Sequence, residues 1–201
     1  MQLSGHSAIV TGGGSGLGEA TARHFADKGM TVAIFDVNTE GAERVAKDIG
    51  GAAIRCDVSS ASDAERAFEE SRAAVGPARV LVNCAGIGPA RAIVSRDGTP
   101  MPLEGFTQVI EVNLIGSFNC LRLAAADMAA LDPLEDDERG VIISTASVAA
   151  FEGQVGQVAY SASKGGVVGM MLPAARELAR YGIRVLTIAP GFIQTPLMDT
   201  V

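Results

Sequence analysis

Thr11-Gly12-Gly13-Gly14-Ser15-Gly16-Leu17-Gly18 is the stretch on which the reading of this chain turns. A β-branched run at 8–11 leads into it and a helical pattern at 17–28 leaves it. A glycine loop set between a strand and a helix is a seat for a pyrophosphate. Gly12 allows the tight turn, Gly16 lets the backbone approach the anion, and Gly18 lets the helix pack on the sheet. Free N–H groups and the positive end of the helix hold the charge. No Lys-Ser/Thr pair follows the last glycine, so the loop is not a P-loop.

Asp36 ends the next strand candidate, 18 residues beyond Gly18. A carboxylate there accepts hydrogen bonds from both hydroxyls of an adenosine ribose and repels a 2′-phosphate. Ser15 offers no compensating positive charge. The cofactor reading is therefore NAD(H) rather than NADP(H).

Outward from the loop, strand candidates at 31–35, 52–56, 79–83, 141–144 and 183–188 alternate with helical stretches at 40–49, 63–75, 105–130 and 158–181. Several strands are continuous apolar runs, as in strands covered on both faces. The alternation predicts an α/β fold: a Rossmann-type doubly wound parallel sheet with helices on both faces, one domain over 1–201. Ser62-Asp63-Ala64-Glu65 has the spacing of a capping box. Pro173 should bend the last helix, with Gly169 reducing the crowding. Residues 95–102 read as a loop, and 131–140 as a solvated acidic loop.

Composition narrows the functions. The chain has 201 residues, 48% hydrophobic and 19% charged, which excludes intrinsic disorder. A net charge of −7 argues against a nucleic-acid partner. No stretch reads as membrane-spanning, and no secretory signal is visible. Three cysteines without a CxxC pair fit a reducing compartment and exclude a disulfide framework or a zinc ribbon. His6 and His24 belong to no ligand cluster, so no metal site is expected, and neither is placed as base to a serine. Met170-Met171-Leu172 reads as packing surface.

The chemistry-bearing group is Ser147, Tyr160 and Lys164. Tyr160 and Lys164 are four apart on a predicted helix and share a face. An ammonium beside a phenol favours the phenolate, which would bring Tyr160 toward use as a general acid/base. The Ser147 hydroxyl could polarise a carbonyl oxygen facing Tyr160. Tyr and Lys are scarce here, at Tyr160, Tyr181, Lys28, Lys47 and Lys164, which sharpens the signal.

These residues resemble the classical short-chain dehydrogenase/reductase family. The carriers are the glycine loop, Asp36, Cys56-Asp57-Val58, Asn83-Cys84-Ala85-Gly86, Asn113, Ser147, Tyr160-Ser161-Ala162-Ser163-Lys164 and Pro190-Gly191. The stretch STASVAAFEGQVGQVAYSASKGGVVG (144–169) is similar to the branch of type 2 3-hydroxyacyl-CoA dehydrogenases, also called 17β-hydroxysteroid dehydrogenase type 10. The likeness covers essentially the whole chain.

The resemblance implies roles. Tyr160 exchanges the proton, Ser147 holds the substrate oxygen, and Lys164 lowers the Tyr160 pKa and binds the nicotinamide ribose. Asn113 holds a water in a relay to Lys164. Asp57 and Val58 meet the adenine, and Ser15 and Leu17 line the phosphates. Asn83, Cys84, Ala85 and Gly86 border the adenosine ribose. Pro190 introduces Ile193 and Thr195, which hold the carboxamide, and Gln157 lies near the substrate. Cys84 replaces the second Asn of the usual turn and is read as a small packing residue.

The implied activity is NAD-dependent interconversion of a secondary alcohol and a ketone, with a (3S)-3-hydroxyacyl-CoA as substrate. A 3-oxoacyl-carrier-protein reductase and a hydroxysteroid dehydrogenase are the alternatives within the family. A non-catalytic NAD-binding scaffold is the rival from another class. A cytoplasmic homotetramer is the expectation, with a place in fatty acid metabolism. The family continues past Pro196-Leu197 with a helical lid, a further helix and a seventh strand, so a sequence cut short is expected.

Overall fold

The computed structural model describes residues 1–196; residues 197–201 of the expected domain lie outside it. Strands β1 (Ser7–Thr11), β2 (Thr31–Asp36), β3 (Ala52–Arg55), β4 (Ala78–Asn83), β5 (Gly140–Thr145) and β6 (Ile183–Ile188) form one parallel sheet in the order β3-β2-β1-β4-β5-β6. Helices α1 (Gly16–Asp27), α2 (Thr39–Ile49), α3 (Ala61–Val75), α4 (Leu103–Ile110), α5 (Gly116–Ala129), the short α6 (Ala149–Glu152) and α7 (Val158–Leu178) make the crossovers. This is the doubly wound order, and it reverses between β1 and β4. A crevice opens there, at the carboxyl ends of the strands.

The apolar runs are explained by two cores. Side chains alternate across a strand, so one run feeds both faces. On one face Ile9, Phe35, Leu81, Ile142 and Ile183 pack with Phe68 of α3 and Met128 of α5. On the other, Val10, Val32, Ile34, Val80, Val82 and Val141 pack with Ala22 of α1 and Val45 of α2. Phe35 and Phe68 meet edge to face, their centroids 5.4 Å apart.

Four local expectations are corrected. The capping residue of α3 is Ser60, whose hydroxyl accepts from the Asp63 N–H at 3.3 Å, and Ser62 already lies inside the helix. The stretch 105–130 is not one regular helix. A π-helical turn, Glu111–Ile115, joins α4 to α5. The acidic loop is not wholly solvated: Glu138 is mostly covered and takes the Arg184 Nε at 2.9 Å. Cys56 falls just past β3 rather than in it. Helix α7 runs through Pro173 as a single element.

The helical run Leu103–Ala129 is long and apolar enough to cross a membrane by length and composition alone. Here it serves the core: half of its most apolar window is buried, and it carries the buried polar residues Asn113, Ser117 and Asn119.

Candidate active site

The glycine loop takes the shape its residues allow. Gly12 and Gly16 sit at φ +65° and +55°, in the left-handed region that glycine enters without strain. Gly12 also lies against the 84–85 turn, where a Cβ would come within 2.8 Å of the Ala85 backbone. Gly18 has the strictest requirement, since a Cβ there would lie 2.2 Å from the Gly12 carbonyl oxygen. Ser15 caps α1 with no side-chain hydrogen bond. The first-turn N–H groups, which have no intrahelical acceptor, face outward for a ligand.

Asp36 is tied down by backbone. Its carboxylate accepts from the N–H of Gly14 and of Asn38, both at 2.9 Å. Asp57 accepts from the Ser59 N–H at 3.0 Å, and its own N–H donates to Asp63 at 2.7 Å, so the chain turns inward at Val58.

Past the sheet reversal, Thr11 Oγ1 accepts from the N–H of both Cys84 and Ala85 at 3.1 Å. These bonds pin the turn after β4 to the end of β1. Ser147 follows β5, and its Oγ accepts the Ala149 N–H at 3.1 Å, leaving the hydroxyl proton free to donate. Tyr160 and Lys164 share one face of α7, with the Lys164 Nζ 5.6 Å from the centre of the phenol ring. Lys164 is buried and donates to the Thr145 carbonyl at 2.6 Å.

The electrostatics differ from the expectation. Burial pushes the Tyr160 phenol above its ordinary value, with the Ser147 hydroxyl pulling back toward ionisation. Burial also pulls the Lys164 ammonium down to about 8. The Lys164 Nζ stands 5.6 Å from the ring centre and makes no hydrogen bond to the phenol, so burial prevails and the expected lowering of the phenol by Lys164 is absent here.

These pieces line one cleft of about 520 Å³. Its walls include Gly12, Ser15–Gly18, Asp36, Asp57, Val58, Cys84–Gly86, Ser147, Gln157, Tyr160, Lys164, Pro190, Ile193 and Thr195. A volume of that size suits an extended ligand.

Residues 6–201 match the short chain dehydrogenase family. The chain belongs to that family. It is 48% identical over 201 residues to the 3-hydroxyacyl-CoA dehydrogenase type-2 of Homo sapiens, covering 98% of this chain and 77% of that protein. The crystal structure of a 3-hydroxyacyl-CoA dehydrogenase type-2 from Mycobacterium avium superposes with TM-score 0.91 at 42% identity, covering 100% of this chain and 80% of the other. A 3-ketoacyl-(acyl-carrier-protein) reductase from Brucella melitensis complexed with NADH gives 0.88 at 34%, covering 98% and 80%. A nicotinamide cofactor is thus a property of the family.

Two site residues of this short-chain dehydrogenase are not on the cleft wall. Asn83 is buried and donates through Nδ2 to the Ser117 carbonyl and to Ser144 Oγ, at 3.2 and 3.3 Å. It braces β4 against α5 and β5 instead of bordering a ribose. Asn113 is completely buried in the π turn. Its Oδ1 accepts the Ile87 N–H at 2.8 Å, and its Nδ2 donates to the Ile87 carbonyl at 2.9 Å and to Ser163 Oγ at 3.0 Å. The side chain is a brace between the 84–87 turn and α7, not an open water ligand, and its own carbonyl accepts from Ser117 Oγ at 2.6 Å.

Sequence reasoning passed over Thr11, Thr145 and Ser163. Thr145 holds Lys164 through its backbone carbonyl, which no side-chain type advertises, while its hydroxyl pairs with Cys84 Sγ at 3.6 Å. Ser163 accepts from Asn113 and donates to the Tyr160 carbonyl at 2.7 Å, a role visible only once the helices are packed. Thr11 stands beside the glycine loop, and its place at the strand end was the available clue.

A second cavity, of about 500 Å³, shares Ala149, Gln154 and Gln157 with the first and is walled by Ile93, Phe151 and Val155. Gln157 accepts the Gln154 N–H at 2.9 Å where the two meet.

Proposed function

We propose that this chain interconverts a secondary alcohol and a ketone with NAD(H), the substrate being a short or branched (3S)-3-hydroxyacyl-CoA. The observation that carries the reading is one cleft lined at one end by the glycine loop and Asp36 and at the other by Ser147, Tyr160 and Lys164. The residues fit the dinucleotide. Gly12, Gly16 and Gly18 let the loop close against the 84–85 turn, Thr195 and its own first carbonyl, the start of α1 offers N–H donors, and Asp36 offers acceptors to a ribose diol. The same carboxylate disfavours a 2′-phosphate, which supports NAD(H) over NADP(H).

When bound, the nicotinamide supplies the hydride acceptor or donor. The chain's own groups manage the proton. In ketone reduction the Tyr160 phenol gives its proton to the oxygen as charge develops, and the Ser147 hydroxyl donates a hydrogen bond to the same oxygen. In alcohol oxidation Tyr160 takes the hydroxyl proton. Lys164, fixed by Thr145, lines the cleft beside Gly86, where a ribose hydroxyl would find a donor. Ile93, Phe151 and Val155 give an acyl chain an apolar exit from the reacting centre. Exposed Phe118 and Ile115 on the α5 side support assembly with further copies as part of the same reading.

The test is turnover of acetoacetyl-CoA and of acetoacetyl-acyl-carrier protein, followed by loss of NADH or NADPH absorbance. Faster turnover of the CoA ester with NADH is expected. Preference for the carrier-protein ester with NADPH would move the assignment to a reductase of that class.

A further inference from the structure

An ion-pair cluster joins α1 to α2 beside the glycine loop, off the cleft wall, and the reaction does not use it. Both backbone polar groups of Gly14 are held. Its N–H donates to Asp36 Oδ2 at 2.9 Å, and its carbonyl accepts from Arg44 Nη2 at 3.1 Å. The same guanidinium grips both oxygens of Glu19, at 2.8 and 2.7 Å. Arg23 adds a bond to Glu19 at 3.0 Å and is itself held by Asp48 at 2.8 Å. Two cations and two anions close on one another. The guanidiniums hold the Glu19 carboxyl down to about 2, so the pair is charged at any working pH.

Asp36 and Arg44 therefore hold the same loop residue through successive peptide groups, one bonded to the Gly14 N–H and the other to the Gly14 carbonyl. A guanidinium near that position is the group that accepts a 2′-phosphate in NADP sites, through a bidentate fork. Here the fork is taken. We propose that Glu19 is a second determinant of NAD(H) over NADP(H): it occupies the Arg44 guanidinium and denies a 2′-phosphate its counter-charge, while Asp36 repels that phosphate. The inference rests on the NAD(H) reading above and adds to it a residue on α1 that does not touch the ribose.

The two layers separate experimentally. Dissociation constants of NADH and NADPH are measured by nicotinamide fluorescence on the full-length protein, unmodified and as Asp36→Ser, Asp36→Ser/Glu19→Gln and Asp36→Ser/Glu19→Gln/Arg44→Met. Glu19→Leu in place of Glu19→Gln is a second way of emptying the fork. The unmodified protein binds NADH more tightly. Emptying the fork in the Asp36→Ser background tightens NADPH by about tenfold, with NADH held within about twofold. That gain shrinks with added salt and vanishes with Arg44→Met. An unmodified protein that prefers NADPH removes the NAD(H) reading and this inference together. An unmodified protein that prefers NADH, with NADPH affinity unmoved by either Glu19 change or with a gain that survives Arg44→Met, overturns the inference alone.

Discussion

The two halves of the sheet build their part of the cleft by different means. In the β1–β3 half the site is made of backbone. Gly12 and Gly16 occupy left-handed conformations, Gly18 lies against the Gly12 carbonyl, and Asp36 is held by two N–H groups. In the β4–β6 half the site is made of buried side chains. Asn113 clamps Ile87 to Ser163, Ser163 holds the Tyr160 carbonyl, and Lys164 is tied to Thr145. The backbone half tolerates almost no added atom and draws on one polar side chain, Asp36, for the ribose. A side-chain site fails when one partner leaves another buried group unpaired.

Substitutions should split along this line. Tyr160→Phe keeps the ring and removes the proton, so turnover of acetoacetyl-CoA with NADH should fall about 1,000-fold while the NADH dissociation constant stays within about twofold. Gly18→Ala should do the reverse. Its Cβ would stand 2.2 Å from a carbonyl oxygen, and relief of about 1–3 kcal/mol of overpacking must come from the loop. NADH binding should weaken by up to about 100-fold, with any bound fraction still turning over. Asn113→Ala should cost about 2 kcal/mol of stability in denaturant unfolding, because Ile87 and Ser163 lose their partner. It should also lower turnover more than NADH affinity, since α7 loses its brace. Equal losses of turnover and of NADH affinity in all three variants would erase the distinction between the halves.

The same division explains what was legible. Glycines advertise backbone geometry, so Gly12, Gly16, Gly18 and the strand-end Asp36 could be placed from spacing alone. The sheet was legible because apolar runs between helical patterns leave few topologies. The π turn was not, because Glu111–Ile115 carries no residue that breaks a helix, and its irregularity arises where Asn113 is drawn inward. Asn83 misled for a related reason: its place in the turn motif suggested contact with a ligand, yet its amide points to Ser117 and Ser144. The Tyr160–Lys164 spacing gave the shared face correctly. The direction of the phenol shift did not follow from it, because burial of both groups outweighs their mutual influence.

That phenol is the central claim, and its titration is the most direct test. Burial disfavours the phenolate, so Tyr160 holds its proton through neutrality. As proton donor it is ready for ketone reduction, whose kcat/KM should stay level through neutral pH and fall only as the phenol ionises. As proton acceptor it must first ionise, so kcat/KM for alcohol oxidation should climb with pH over the same range. Measured in both directions at saturating dinucleotide, the two profiles should be mirror images governed by one apparent pKa, and Tyr160→Phe should flatten both. Residual turnover of Tyr160→Phe that keeps the original pH dependence would assign the proton to another group.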